Sequence, residues 1–196
     1  IQMSYDSNGM RTQKTVGGVK TNYYYDSDKN LIALVKGNDT LLFYYDSDGS
    51  ATSFSYNGTM YFYVKNLQGD VIRIIDLAGT EVASYVYDAW GNIKDTKGEP
   101  TIREINPIRY RGYVYDTETS LYYLQSRYYD PFTGRFLNAD EISYMFINDS
   151  VIGSNAFSYC DNNSINAVDS DGFKSKKKHF CVSSDFVSWG IDLIIT

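Results

Sequence analysis

A tyrosine-aspartate turn returns along the first half of this chain at a nearly constant step, and that period constrains the fold more than any other feature. YDSNG stands at 5–9, YDSDKN at 25–30, YDSDG at 45–49 and YDAWGN at 87–92. Asp6, Asp26 and Asp46 are spaced by 20 residues, Asn66 in YVKNLQGD keeps the step, and Asp88 follows after 22. A fixed period of this length marks a stack of supersecondary units. The turn has a simple chemistry. Asp accepts a hydrogen bond from its own backbone two residues on, and the Gly or Asn that follows tolerates the positive φ that reverses the chain.

Between the turns lie β-branched and aromatic runs: TNYYY (21–25), LIALV (31–35), TLLFYY (40–45), YFYV (61–64), VIRIID (71–76) and EVASYVY (81–87). They read as strands joined by turns, which makes the fold class all-β, with repeated antiparallel hairpins forming a curved or spiralling sheet. The Tyr before each Asp is placed to pack on its cross-strand neighbour in the adjoining repeat. No hairpin buries its face alone, so the repeats must share a core, and a continuous sheet with open edges is expected.

Composition agrees. The 196 residues are 43% apolar and 16% aromatic with 20 tyrosines, and tyrosine favours half-buried pleated surfaces. A net charge of −6 argues against a nucleic-acid or anionic-membrane partner, both of which need a basic face. The basic run KSKKK (174–178) reads as a solvated linker. Cys160 and Cys181 are too few for a disulfide framework and have no metal-ligand spacing. No apolar stretch approaches the ~18 to 20 residues that cross a bilayer. The chain opens on Ile1 in mid-repeat and reads as an excerpt of a longer polypeptide.

DSDG at 46–49 and again at 169–172 raises calcium. An EF-hand loop needs an acidic residue at its last position, where this chain has Asn57 and Phe180, so turn chemistry is the better account. After Pro100 the rhythm changes. Arg103, Arg109, Arg111, Arg127 and Arg135 crowd into 101–140, with strands expected near IRYRGYVYD (108–116) and SLYYLQSRYYD (120–130). Residues 141–173 read as a wound loop with one turn of helix near Ala156 to Cys160, and 174–196 as a Lys-rich then apolar tail.

NPIRYRGYVYDTETSLYYLQSRYYDPFTGRFLNAD (106–140) resembles the core motif of Rhs/YD-repeat proteins, and the match continues through FSYCDNNSINAVDSDGF (157–173). The resemblance implies that 1–99 is a segment of a YD-repeat β-shell and 100–173 the core segment that closes and plugs it with short loops or helical turns. Residues 174–196 would then begin, or be a remnant of, a variable C-terminal region. The implied partners are that C-terminal toxin or effector, held inside the shell, and the upstream repeats of the same chain. The implied location is secreted or at the bacterial cell surface.

Many members of the family cut their own chain after the core with an aspartate pair. By position the pair falls on Asp140 in LNAD and Asp169 in DSDGF, with the scissile bond between Phe173 and Lys174. Two carboxyls sharing one proton suit this chemistry: one acts as base towards water while the other polarises the carbonyl. Arg135 is the nearby cation that would orient or neutralise a carboxylate, and Asp130 is assigned to a turn. Three residues depart from the family pattern. Ser120 stands for Gly, Ser164 for Pro, and Ser170 for the Pro beside the second aspartate.

Other candidates read as structural. His179 and Cys181 lack a third orienting group for nucleophilic catalysis, and Trp90 in DAWGN is expected to pack beside its turn rather than stack on a sugar. Nothing resembles a Ser/His/Asp set, a phosphate loop or a metal cluster, and no cofactor is implied. A rival to the shell is a surface adhesion module whose exposed tyrosines bind a cell-surface glycan.

Overall fold

A computed structural model of the chain describes residues 1–139, 157–169, 171–172 and 176–177. The repeats form one antiparallel sheet of ten strands: β1 (Gln2–Tyr5), β2 (Arg11–Val16), β3 (Val19–Tyr25), β4 (Leu31–Lys36), β5 (Asp39–Tyr45), β6 (Ala51–Tyr56), β7 (Thr59–Lys65), β8 (Val71–Ile75), β9 (Glu81–Tyr87) and β10 (Ile93–Gly98). Each strand pairs with its successor, and β1 and β10 have one neighbour each, so the sheet is not closed.

The turns are built as the sequence proposes. In each, the first carboxylate or amide oxygen accepts two backbone N–H groups: Asp26 from Asp28 and Asn30, Asp46 from Asp48 and Ser50, Asn66 from Gln68 and Asp70. The tyrosine before the turn does more than pack. Tyr25 donates its hydroxyl to the Arg11 carbonyl at 3.0 Å, Tyr45 to Leu31 at 2.9 Å and Tyr87 to Val71 at 2.9 Å. Each hydroxyl thus reaches across to the strand that opens the preceding repeat and ties neighbouring units together. Lys65 holds the same place in its repeat, and its ammonium donates to Ser50 Oγ.

A bulge accompanies every one of these turns. The register slips between Ser4 and Tyr5, Tyr24 and Tyr25, Tyr44 and Tyr45, and Val64 and Lys65. The extra residue lies on the following strand, so the buried pairs there are three apart: Arg11 and Lys14, Leu31 and Leu34, Ala51 and Phe54, Val71 and Ile74. On the other strands burial alternates, as at Thr21 and Tyr23 or Leu41 and Phe43. A bulge bends its strand and increases the local twist. Repeating it at one end of every hairpin therefore coils the sheet in one sense.

The rest of the described chain crosses one face of this sheet. Gly98 ends β10 with φ +94, where a Cβ would meet the Val82 carbonyl oxygen at 2.2 Å, and the chain passes at once into helix α1 (Pro100–Ile105). Pro100 suits the first helical turn, whose N–H groups have no partner inside the helix. Sequence periodicity does not show this short helix. Its Ile102 and Ile105, with Ile108, join Leu34, Phe54, Ile74 and Tyr85 in the larger core.

A second sheet of four strands follows: β11 (Val114–Asp116), β12 (Leu121–Leu124), β13 (Arg127–Asp130) and β14 (Arg135–Phe136). The two long strands expected from sequence are therefore shorter and broken. Residues 110–112 form a 3₁₀ turn with Arg111 at φ 56, and Gln125 at φ 63 reverses the chain between β12 and β13. The helical turn expected near Ala156 to Cys160 is a 3₁₀ turn at Cys160–Asn162, and Ala156 lies outside the described residues. Strands β15 (Ala167–Val168) and β16 (Lys176–Lys177) pair antiparallel.

Candidate functional site

The last Tyr-Asp turn, 88–92, is where repeats and core segment meet. Three tyrosine hydroxyls from the core segment reach its carbonyls, each at 2.8 Å: Tyr110 to Ala89, Tyr129 to Trp90 and Tyr122 to Gly91. Ser164 Oγ also donates to Ala89 at 2.8 Å, and the Ser164 carbonyl accepts the Arg111 guanidinium. The serine standing for the family's proline is thus buried and hydrogen-bonded at both ends. Trp90 packs against the 131–134 turn, with its ring 3.0 Å from a Cβ built on Gly134. Asp130 caps that turn, accepting from Phe132 N–H and Thr133 Oγ, each at 2.9 Å.

Above these lies a tyrosine cluster. The rings of Tyr110, Tyr113, Tyr122, Tyr129 and Tyr159 pack at centroid separations from 4.1 to 6.4 Å, and Tyr113 and Tyr159 share a hydrogen bond at 3.0 Å. Burial pushes the hydroxyl pKa of Tyr113, Tyr122 and Tyr159 well above the ordinary value, so all three hydroxyls keep their protons.

The closing DSDG turn sits at the edge of this cluster, against the start of β13. Asp169 is 2% exposed, and its backbone N–H donates to the Tyr113 hydroxyl at 3.2 Å. One carboxylate oxygen accepts the Gly172 N–H at 2.9 Å and the other faces Arg127 Nη2 at 3.2 Å. Arg127 also donates through Nε to the Gly172 carbonyl and lies over the Phe136 ring at 3.6 Å. Ser126 holds the neighbouring carbonyl, Asp171, with its Oγ at 2.7 Å and its N–H at 3.3 Å. Gly172 is required here: its φ is +77, and a Cβ would meet Ser126 Oγ at 2.5 Å and the Leu124 carbonyl at 2.9 Å.

Burial pushes the Asp169 carboxyl up to about 6. The Arg127 cation pulls it down, while the Asp171 carboxylate and a hydrogen bond to it push it up again. An acid in that range can both give and take a proton near neutrality. Asp171 also lines a cavity of about 680 Å³ between the 26–30 and 46–50 turns and the core segment.

The structure thus places one of the two expected aspartates in a buried, charge-coupled position. Asp140, Phe173 and Lys174 lie outside the described residues. Arg135 is exposed on β14, across the ladder from Asp130, and the cation that meets Asp169 is Arg127. Arg127 and Asp171 were the residues to find. The signal is the arginine at the head of RYYD, which reads as one of five arginines in a strand-rich stretch, and the second acid of DSDG, which turn chemistry alone explains. Among the tyrosines, Tyr24 and Tyr44 are exposed on the outward face, at 51% and 43%, whereas the larger set is engaged in the core.

An unclosed antiparallel sheet of Asp-turn repeats, crossed on one face by a tyrosine-rich core segment, is the architecture of a YD-repeat shell. The family model for the Teneurin YD-shell matches residues 36–165, and the chain belongs to that family. It is 42% identical over 171 residues to the tRNA3(Ser)-specific nuclease WapA of Bacillus spizizenii, covering 86% of this chain but only 7% of that protein. A shorter match, 38% over 71 residues, covers 36% of this chain and 5% of the double-stranded DNA deaminase toxin A of Burkholderia cenocepacia. Among solved structures, TcdB2-TccC3-TEV superposes with a TM-score of 0.66 at 19% identity, over 87% of this chain and 9% of that one, a likeness of fold. No helix among the described residues is long and apolar enough to cross a membrane.

Proposed function

We propose that this chain is the terminal part of a YD-repeat shell that encloses a C-terminal toxin or effector. Residues 1–99 form the last repeats, 100–173 the core that closes them, and 174–196 the start of the enclosed region. The protein acts in secreted form or at a bacterial cell surface. One observation carries this reading: the segment from α1 to β14 lies across one face of a coiled, unclosed sheet, so the sheet has a distinct inner side. That the relatives include a tRNA nuclease and a DNA deaminase toxin supports a toxic occupant.

The finer part of the proposal is self-cleavage between Phe173 and Lys174 by Asp140 and Asp169. The water oxygen attacks the Phe173 carbonyl carbon, and a carboxylate takes the water proton. A carboxylic acid gives its proton to the Lys174 nitrogen as the C–N bond breaks, leaving a carboxylate on Phe173 and an amine on Lys174. Three features support it. Asp169 is tuned towards neutrality, and the expected scissile bond falls in sequence between the paired strands β15 and β16, four residues after Asp169. A third is that Leu137, three residues before Asp140 in sequence, donates its N–H to the Tyr128 carbonyl of β13 at 2.8 Å.

The test is the intact mass, under denaturing conditions, of the full-length protein with its native C-terminus. A break after Phe173 that vanishes in Asp140→Asn and in Asp169→Asn establishes the protease. One uncut mass in all three removes it and leaves the shell reading to a second measurement, protease protection of the C-terminal region in the folded protein.

A further inference from the structure

At the start of the sheet the repeat pattern is broken in its chemistry while its geometry is kept. The inward pairs three apart are apolar in three repeats, Leu31 and Leu34, Ala51 and Phe54, Val71 and Ile74. In the first they are Arg11 and Lys14, and both are buried, at 0% and 6% exposed. Both cations converge on the core segment. Arg11 Nη1 donates to Asp116 Oδ2, while Lys14 Nζ reaches Asp116 Oδ1 and Glu118 Oε2 at 2.8 Å each.

The Arg11 guanidinium lies between the Tyr23 ring of β3 at 4.4 Å and the Tyr123 ring of β12 at 4.5 Å. The Arg11 N–H donates to the Tyr123 hydroxyl at 2.9 Å, so the main chain is engaged as well. Burial is the largest influence on both groups and works against their charges, but Asp116, Tyr23 and the neighbouring acceptors together outweigh it, so each side chain holds its proton more strongly than in water. Arg11 Nε and Nη2 have no hydrogen-bond partner among the described residues.

As a source of stability this cluster is poor. Two buried cations pay a desolvation penalty that an apolar pair, as in the other repeats, avoids. Its use lies elsewhere. Successive repeats present nearly the same inner surface every two strands, so a core segment lying across them has several near-equivalent seats. Asp70 in the 66–70 turn meets Arg111 near the other end of the sheet, but a charged inward pair is found at the first repeat only, and it removes that degeneracy there, because a slip leaves two cations facing apolar side chains and an acid facing leucine. We propose that Arg11 and Lys14 are a register key: they bind the carboxylates of Asp116 and Glu118 and so specify which repeat the core segment seats on, and hence how tightly the sheet coils. Asp116 stands 105 residues from Arg11, so the contact joins β2, near one end of the ten-stranded sheet, to β11, which follows the other end in sequence.

The experiment measures the distance between spin labels carried by p-acetylphenylalanine at exposed Val19 and Phe132 in the full-length protein, by pulsed electron resonance. In the parent chain one narrow distance is expected. Moving the key one repeat along, in R11L/K14L/L31R/L34K, should shift that distance by about two strand spacings, ~10 Å. An unchanged narrow distance overturns the proposal. Should the transplanted chain fail to fold, the apolar triple variant R11L/K14L/D116L decides. It should fold, with the single distance replaced by two or more separated by ~10 Å. A single parental distance in that variant rules the key out.

Discussion

Arg127 and Asp169 stand 42 residues apart in sequence and meet at 3.2 Å, with neither side chain more than 5% exposed. The pair joins the head of β13 to the closing turn, and the same guanidinium holds the Gly172 carbonyl. A carboxylate paired this way would ordinarily titrate low. Burial and the neighbouring Asp171 reverse the sign and leave Asp169 near 6.

That reversal has a consequence for stability. The folded value of about 6 lies above the unfolded 3.8, so the folded chain binds more protons between them. The contribution from Asp169 is fully present below pH 3.8 and is lost as pH rises through 6, at most about 3 kcal/mol for a shift of this size. Asp169→Asn should flatten the slope of unfolding free energy between pH 4 and 6.5. Urea titrations across that range check it, and a slope equal to the parent's contradicts the assignment.

Gly172 carries both a left-handed backbone and a close approach, so Gly172→Ala should destabilise the protein by about 2–3 kcal/mol. It should also reduce any cleavage after Phe173, because the closing turn that precedes that bond is displaced from Ser126 and Leu124. Denaturant midpoints and intact mass read the two effects separately.

Ser120 gives the opposite case. It is exposed and holds φ 59 at the β11–β12 turn, a conformation that disfavours a side chain. Ser120→Gly should stabilise by up to about 1 kcal/mol, since no packing is lost. A lower midpoint in thermal or urea unfolding would contradict this.

The hydroxyls that seat the last turn should matter individually. Tyr122→Phe leaves the Gly91 carbonyl buried without its donor, costing about 1–2 kcal/mol. Tyr24→Phe, on the exposed outer face, should change stability by less than about 0.5 kcal/mol. Equal effects from the two would mean that the tyrosines act by packing alone.

The spacing of Asp6, Asp26, Asp46 and Asn66 made the sheet, its turns and its sequential strand order legible, because each turn is a local bond between one side chain and backbone two to four residues on. The bulges were not legible. LIAL reads equally as a strand or as a helical spacing, and only pairing with β3 makes Ile32 the extra residue. The helix α1 escaped notice because its six residues carry one fully buried side chain, too few for a period.

For the site, sequence pointed to Asp169 and to the turn role of Asp130. Arg135 is the cation nearest to Asp140 along the chain, and nearness along the chain does not determine which cation meets a buried acid. Arg135 and Arg127 lie on neighbouring strands of one hairpin, and their fates differ by face and burial: one is exposed, the other lies over the Phe136 ring and against Asp169.

Sequence by itself determined everything that depends on neighbours along the chain: the period, the Asp-capped turns, the alternation of strands and the all-β class. Tertiary structure alone decided which charges meet. Arg11 with Asp116 and Arg127 with Asp169 are contacts between segments 105 and 42 residues apart. The electrostatics of a buried group follow from what surrounds it in space, and a chain that coils back on itself sets those surroundings only once it has folded.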